Sequence, residues 1–161
     1  VKYHMSSFGE IEFLEAMPKE KLEAFHRALD AYGIEIIENQ KIILVQKLKD
    51  AITDMIYNDD SAITVKSSVY LSDKLDHSYG YLSNLFSEVT YTSIENFIIL
   101  QKIEHTKSLI TNTDLSLTEI AFKLNYSSVA HLSTQFKNTT GITPTAFQRI
   151  IAKRRDLANN T

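Results

Sequence analysis

The chain has no cysteine, so neither a disulfide framework nor a thiolate metal site is open to it. With four glycines in all it carries no Gly-rich phosphate loop, and no nucleophile elbow is present. Long apolar runs are missing too. The longest, residues 42–45 and 97–100, fall far short of the roughly 18 consecutive apolar residues that cross a bilayer, and no basic-then-apolar leader opens the chain. The five histidines, His4, His26, His77, His105 and His131, show no paired metal spacing, and no carboxylate pair shares a helix face beside a cleft. Glu10, Glu12 and Glu15 read as a solvated strand edge that discourages aggregation rather than as a cation site. These absences point to a cytoplasmic non-enzyme with no resident metal, no cofactor and no membrane partner.

What is present is unevenly placed. The 161 residues carry a net charge of −3, which by itself argues against a nucleic-acid partner. Residues 1–60 hold 7 Lys/Arg against 12 Asp/Glu, residues 61–114 hold 4 against 6, and residues 115–161 hold 6 against 2. The C-terminal quarter is therefore basic on an otherwise acidic chain.

Three parts follow from the pattern: a small α+β unit over 1–40, a connecting helix over 41–60, and an all-helical domain over 61–161. Residues 1–14 alternate loosely as a half-buried strand does, and Leu22, Phe25, His26 and Leu29 recur at helical spacing up to Gly33. Ile34, Ile36 and Ile37 then read as a second strand, which makes a βαβ-like unit, half of a ferredoxin-like fold. Such a unit leaves a sheet face and two edges uncovered. Because the chain begins with Val in a strand-like stretch, further residues upstream, or a second copy, are expected to complete it; homodimerisation and scaffolding are its expected roles. From Ile42 onward the period is helical, and residues 69–75, 78–89, 93–110, 117–124, 128–139 and 144–155 read as helices.

An internal repeat is the strongest signal. Leu71 and Leu75 recur as Ile120 and Leu124, 49 residues on; Ser78, Leu82, Phe86 and Phe97 recur as Ser128, Leu132, Phe136 and Phe147, 50 residues on. One residue has been added at the turn. Each copy reads as a short helix, a tight polar turn and a second helix, the pattern of a helix-turn-helix. Asn125 suits a left-handed stop for the first helix of the second copy, and Ser127 or Ser128 a cap for the next. The faces left over carry Gly80, Tyr81, Ser83, Asn84 and Ser87 in the first copy, and Ala130, His131, Thr134 and Lys137 in the second. A lone helix of this composition is ordinarily a solvated face. Two copies joined by a long helix instead suit insertion in the DNA major groove, where small side chains allow close approach and Asn, Ser and Thr bond to base edges.

The segment SLTEIAFKLNYSSVAHLSTQFKNTTGITPTAFQRI, residues 116–150, resembles the second helix-turn-helix of AraC/XylS-type bacterial transcription regulators. Ile120, Ala121, Tyr126, Phe136, Lys137, Gly141 and Pro144 carry the likeness; residues 71–110 match more loosely, and the resemblance spans about 44–155. It implies a mainly α fold, a tandem helix-turn-helix domain joined by a linker helix, with two recognition helices entering successive major-groove segments. The partners it implies are double-stranded DNA and RNA polymerase. Departures are Asn125 and Tyr91 where Gly is usual, and Asn84, Thr134 and Ser87 where basic residues are frequent. Base contacts are expected from Tyr79, Gly80, Tyr81, Ser83, Asn84, Val129, Ala130, His131 and Thr134. Phosphate contacts are expected from Ser87, Ser128, Lys123, Lys137, Arg149, Lys153, Arg154 and Arg155. The shortage of Arg leaves a rival reading, a protein-interaction module that keeps the fold but has little DNA affinity and pairs with another regulator.

Overall fold

The computed structural model describes residues 2–7, 10–34, 39–58 and 66–160. The chain forms two compact units, Val1–Asn39 and Gln40–Thr161. Among the described residues no helix is long and apolar enough to cross a membrane.

The first unit corrects the βαβ expectation. Its opening is an antiparallel hairpin, β1 (Tyr3–Ser7) and β2 (Glu10–Phe13), rather than one strand. The register pairs Tyr3 with Phe13 and Met5 with Ile11, then shifts between Met5 and Ser7. That irregularity breaks the strict alternation by which the two strands would have been told apart in the sequence. Helix α1 (Lys19–Ala31) follows, with Pro18 fixing the backbone ahead of its first turn and Gly33 at φ 70 just past its end. Phe13 meets Phe25 edge-on, with ring centroids 5.6 Å apart, but α1 buries no residue fully. The expected strand at Ile36 and Ile37 lies outside the described residues.

The second unit is all helical. Helix α2 (Gln40–Tyr57) leads into α3 (Ser67–Leu75) and α4 (Tyr79–Thr90); the linker α5 (Ile94–Asn112) carries the chain to α6 (Leu117–Lys123), α7 (Val129–Thr140) and α8 (Pro144–Asn159). Two cores result. Val45, Leu48, Ala51 and Ile52 of α2 pack with Leu71, Leu82, Leu85, Phe86 and Ile94 in one. In the other, Ile110 packs with Ile120, Ala121, Leu124, Tyr126 and Leu132. Helix α5 supplies Ile94 to one and Ile110 to the other, and Ile56 of α2 packs against both, so the linker spans the two modules.

The repeat seen in the sequence holds in the geometry. Phe86 meets Phe97 at 5.5 Å and 58°, and Phe136 meets Phe147 at 5.7 Å and 59°. Ser78 Oγ accepts from the Tyr81 amide and Ser128 Oγ from the His131 amide, capping α4 and α7 alike. Thr90 donates to Phe86 O and Thr140 to Phe136 O, closing the last turn of each. Asp76 at φ 55 and Asn125 at φ 58 make the left-handed stops after α3 and α6. One residue separates Asp76 from Ser78, the cap of α4, and two separate Asn125 from Ser128, the cap of α7, so the residue added to the second copy sits in that turn.

Candidate nucleic-acid interface

Burial sorts each recognition helix into two faces. In α4, Leu82, Leu85 and Phe86 are buried, while Gly80, Asn84 and Ser87 come to the surface on successive turns with Tyr81 beside them. In α7, Leu132 and Phe136 are buried, and Val129, Ala130, His131, Thr134 and Lys137 are exposed. Ser83 is half-buried. Apart from Lys137 these exposed residues are uncharged, and most can bond to base edges; Glu88, one turn beyond Asn84 on α4, is the nearest carboxylate and pairs with Lys41.

Two of the expected contact residues make hydrogen bonds within the chain. Tyr79 sits three residues before Leu82 on the core-facing side of α4, and its hydroxyl donates to Glu95 Oε1 at the start of α5. Burial and that bond push the phenol up from its ordinary value, and the same bond holds the Glu95 carboxyl below the usual range. Tyr79, half-buried, thereby ties α4 to the start of the linker. The guanidinium of Arg155 donates to the carbonyl of Thr111 at the end of α5, tying α8 to the linker. Lys123, Arg149, Lys153 and Arg154 are exposed, and Ser128 keeps its proton to donate while its oxygen caps α7.

Other positioning contacts were not anticipated. Lys102 of α5 lies over the Tyr126 ring, 5.1 Å from its centre, and burial lowers its pKa. Tyr126, its own pKa pushed up to about 12 by burial, donates its hydroxyl to Gln135 Oε1 at 2.7 Å. His131 is held from two sides, by Ser127 Oγ at 3.0 Å from Nδ1 and by the edge of Tyr126 at 5.2 Å between centroids. If Ser127 donates to Nδ1, the proton of a neutral ring is on Nε2. The first copy has the reciprocal pair: His77 in the turn stacks on Tyr81 of α4, 5.2 Å apart at 30°. The repeat itself contains that signal, since residues 77 and 81 map onto 126 and 131 with the types exchanged.

Among the described residues no cluster of three His, Asp or Glu side chains could hold a metal ion.

Comparison with known proteins agrees with this geometry. A family model described as a helix-turn-helix domain matches residues 71–150. The Msm operon regulatory protein of Streptococcus mutans is 30% identical over 90 residues, 56% of this chain and 30% of that protein. The Melibiose operon regulatory protein of Escherichia coli is 22% identical over 98 residues, 61% of this chain and 32% of that protein. The chain thus spans about a third of the length of these curated relatives. Among solved structures, the C-terminal domain of the two-component response regulator yesN from Fusobacterium nucleatum is 29% identical with a TM-score of 0.52, covering 69% of this chain and 99% of that one. The DNA-binding domain of AdpA, solved in complex with a target DNA, shares the fold at 17% identity and a TM-score of 0.59, over 70% of this chain and 96% of that one. Through residues 71–150 the chain belongs to the AraC-type helix-turn-helix family.

Proposed function

We propose that this chain is the DNA-binding part of a transcription regulator, whose helices α4 and α7 enter successive major-groove segments of double-stranded DNA. One observation carries the reading: two N-capped helices, built on equivalent cores and joined by one linker helix, each turn a hydrogen-bonding face to solvent. Base contacts fall to Gly80, Tyr81, Ser83 and Asn84 in α4 and to Val129, Ala130, His131 and Thr134 in α7. Ser87, Ser128, Lys123, Lys137, Arg149, Lys153 and Arg154 meet phosphates, which position the domain without reading sequence.

Pairing of two chains through residues 1–39 completes the regulator. Exposed Tyr3, Met5, Ile11 and Leu14 support it, as does the marginal stability of a lone two-stranded hairpin. RNA polymerase is the further partner such a role calls for. The competing reading, a protein-interaction module with little DNA affinity, draws on the absence of Arg from both recognition helices.

Salt separates the two. Anisotropy of a labelled duplex should show affinity falling steeply as salt rises, by about 0.9 decade per decade of salt for each phosphate contact. A protein partner held by apolar surface would respond weakly, and a chain that ignores DNA at low salt would support that second reading.

A further inference from the structure

Helix α4 has a problem that α7 does not. It contains no Lys or Arg, and its single charged residue is Glu88. In the second copy Lys137 stands where the first copy has Ser87, and Lys74, which maps onto Lys123, lies 3.7 Å from Asp54 and over the Tyr70 ring. A helix bearing a bare carboxylate and no cation is repelled by the phosphates that flank a major groove.

The correction comes from α2. Lys41 Nζ lies 3.0 Å from Glu88 Oε1 and neutralises it. Tyr81 and Glu88 are seven residues, two turns, apart and mark one edge of α4. At the Tyr81 end of that edge lies a groove of about 310 Å³ lined by Gln40, Lys41, Ile43, Leu44 and Lys47 of α2 together with His77 and Tyr81. Its polar side chains carry two ammonium groups, an imidazole, a phenol and the Gln40 carboxamide, each with a hydrogen-bond donor and none with a negative charge. Lys47 is exposed and makes no ion pair among the described residues. The groove also borders the outward strip of Gly80, Asn84 and Ser87, because Tyr81 belongs to both.

We propose that this groove takes a backbone phosphate of the duplex beside the first recognition helix, with Lys47 and His77 as donors and Lys41 cancelling Glu88. The inference rests on the DNA-binding reading above. It goes further by moving the phosphate anchor of the first module off its helix-turn-helix and onto the preceding helix. The His77–Tyr81 stack then has a use, since it holds both polar edges beside the groove.

The test is a salt series on the full chain and a selected duplex, comparing Lys47→Gln, Lys47→Arg and Lys107→Gln with wild type. Lys107, whose ammonium lies against Glu104, removes the same charge away from the groove. One lost phosphate contact lowers the salt slope by about 0.9, which at 0.1 M salt is a loss of about eightfold, equal on matched and mismatched sites. Lys47→Arg should retain the slope. Lys47→Gln behaving like Lys107→Gln, while wild type still binds selectively, would overturn the groove assignment and leave the DNA-binding reading standing. Absence of selective, salt-sensitive binding by wild type would defeat both.

Discussion

The repeat supplies its own control for a stability prediction. The C-caps of α4 and α7 both adopt the left-handed conformation, but one is Tyr91 at φ 59 and the other Gly141 at φ 85. An L-residue there costs roughly 1–2 kcal/mol. Tyr91 is 93% exposed, so its side chain returns almost nothing by packing, and the amide bond to Ser87 O that closes the helix does not depend on it. Replacing it by Gly relieves the strain and gives back about 0.4–1 kcal/mol in unfolded-chain entropy, leaving a net gain of about 0.5–1 kcal/mol. At Gly141 an added Cβ would meet nothing within 4 Å, so Gly141→Ala isolates the backbone cost with the opposite sign. Thermal unfolding followed by far-UV circular dichroism should move up by about 2 °C for Tyr91→Gly and down by a similar amount for Gly141→Ala. An unchanged or lower midpoint for Tyr91→Gly would refute the claim that this turn is strained.

Three further outcomes follow from the same geometry. His105 is buried on α5, edge-on to Tyr57 at 4.1 Å between centroids, with neither ring nitrogen hydrogen-bonded; burial, then the Lys123 charge, lower its pKa. Its neutral form is favoured in the fold, so its stabilisation is whole above the unfolded value of about 6.5 and is lost as pH falls through the lowered folded value; His105→Leu should flatten that part of the midpoint-versus-pH curve, and an identical curve would count against it. Asn84→Ala and Thr134→Ala should relax base preference at single positions by about 1–3 kcal/mol, read by competition between matched and mismatched duplexes, whereas Lys153→Gln with Arg154→Gln should weaken every duplex alike. Phe136→Ala, deleting a fully buried ring that packs on Phe147, should cost about 3–5 kcal/mol in denaturant unfolding; a loss below 1 kcal/mol would mean that the second core is not packed as described.

The second unit was legible because its information is local and repeated. Apolar spacing located every helix to within a few residues, and Asn125 announced the stop of α6 and Ser127 or Ser128 the cap of α7, which falls to Ser128, because hydroxyl and Asn chemistry suits those positions. The bond from Tyr79 to Glu95 was not legible, because its partner lies 16 residues on, beyond the helix whose period places Tyr79 beside Leu82 and Phe86. Contacts distant in sequence were beyond local patterns: Lys41 with Glu88 is 47 residues apart and Arg155 with Thr111 is 44. The hairpin at the front was hidden because its register shift and short strands blur the period of two. Nothing in the sequence marked Lys47 as different from other solvated lysines until the fold set α2 along the edge of α4.

The central claim is that two recognition helices read two DNA segments. Selection of the full chain against a random duplex library at low salt, with anisotropy of the winners across a salt series, tests it most directly. The account predicts enrichment of a site with two boxes about one helical turn, roughly 10 base pairs, apart, with steep salt dependence and with Asn84→Ala and Thr134→Ala each relaxing a different box. No enrichment, or a single box unaffected by changes in one of the helices, would contradict it.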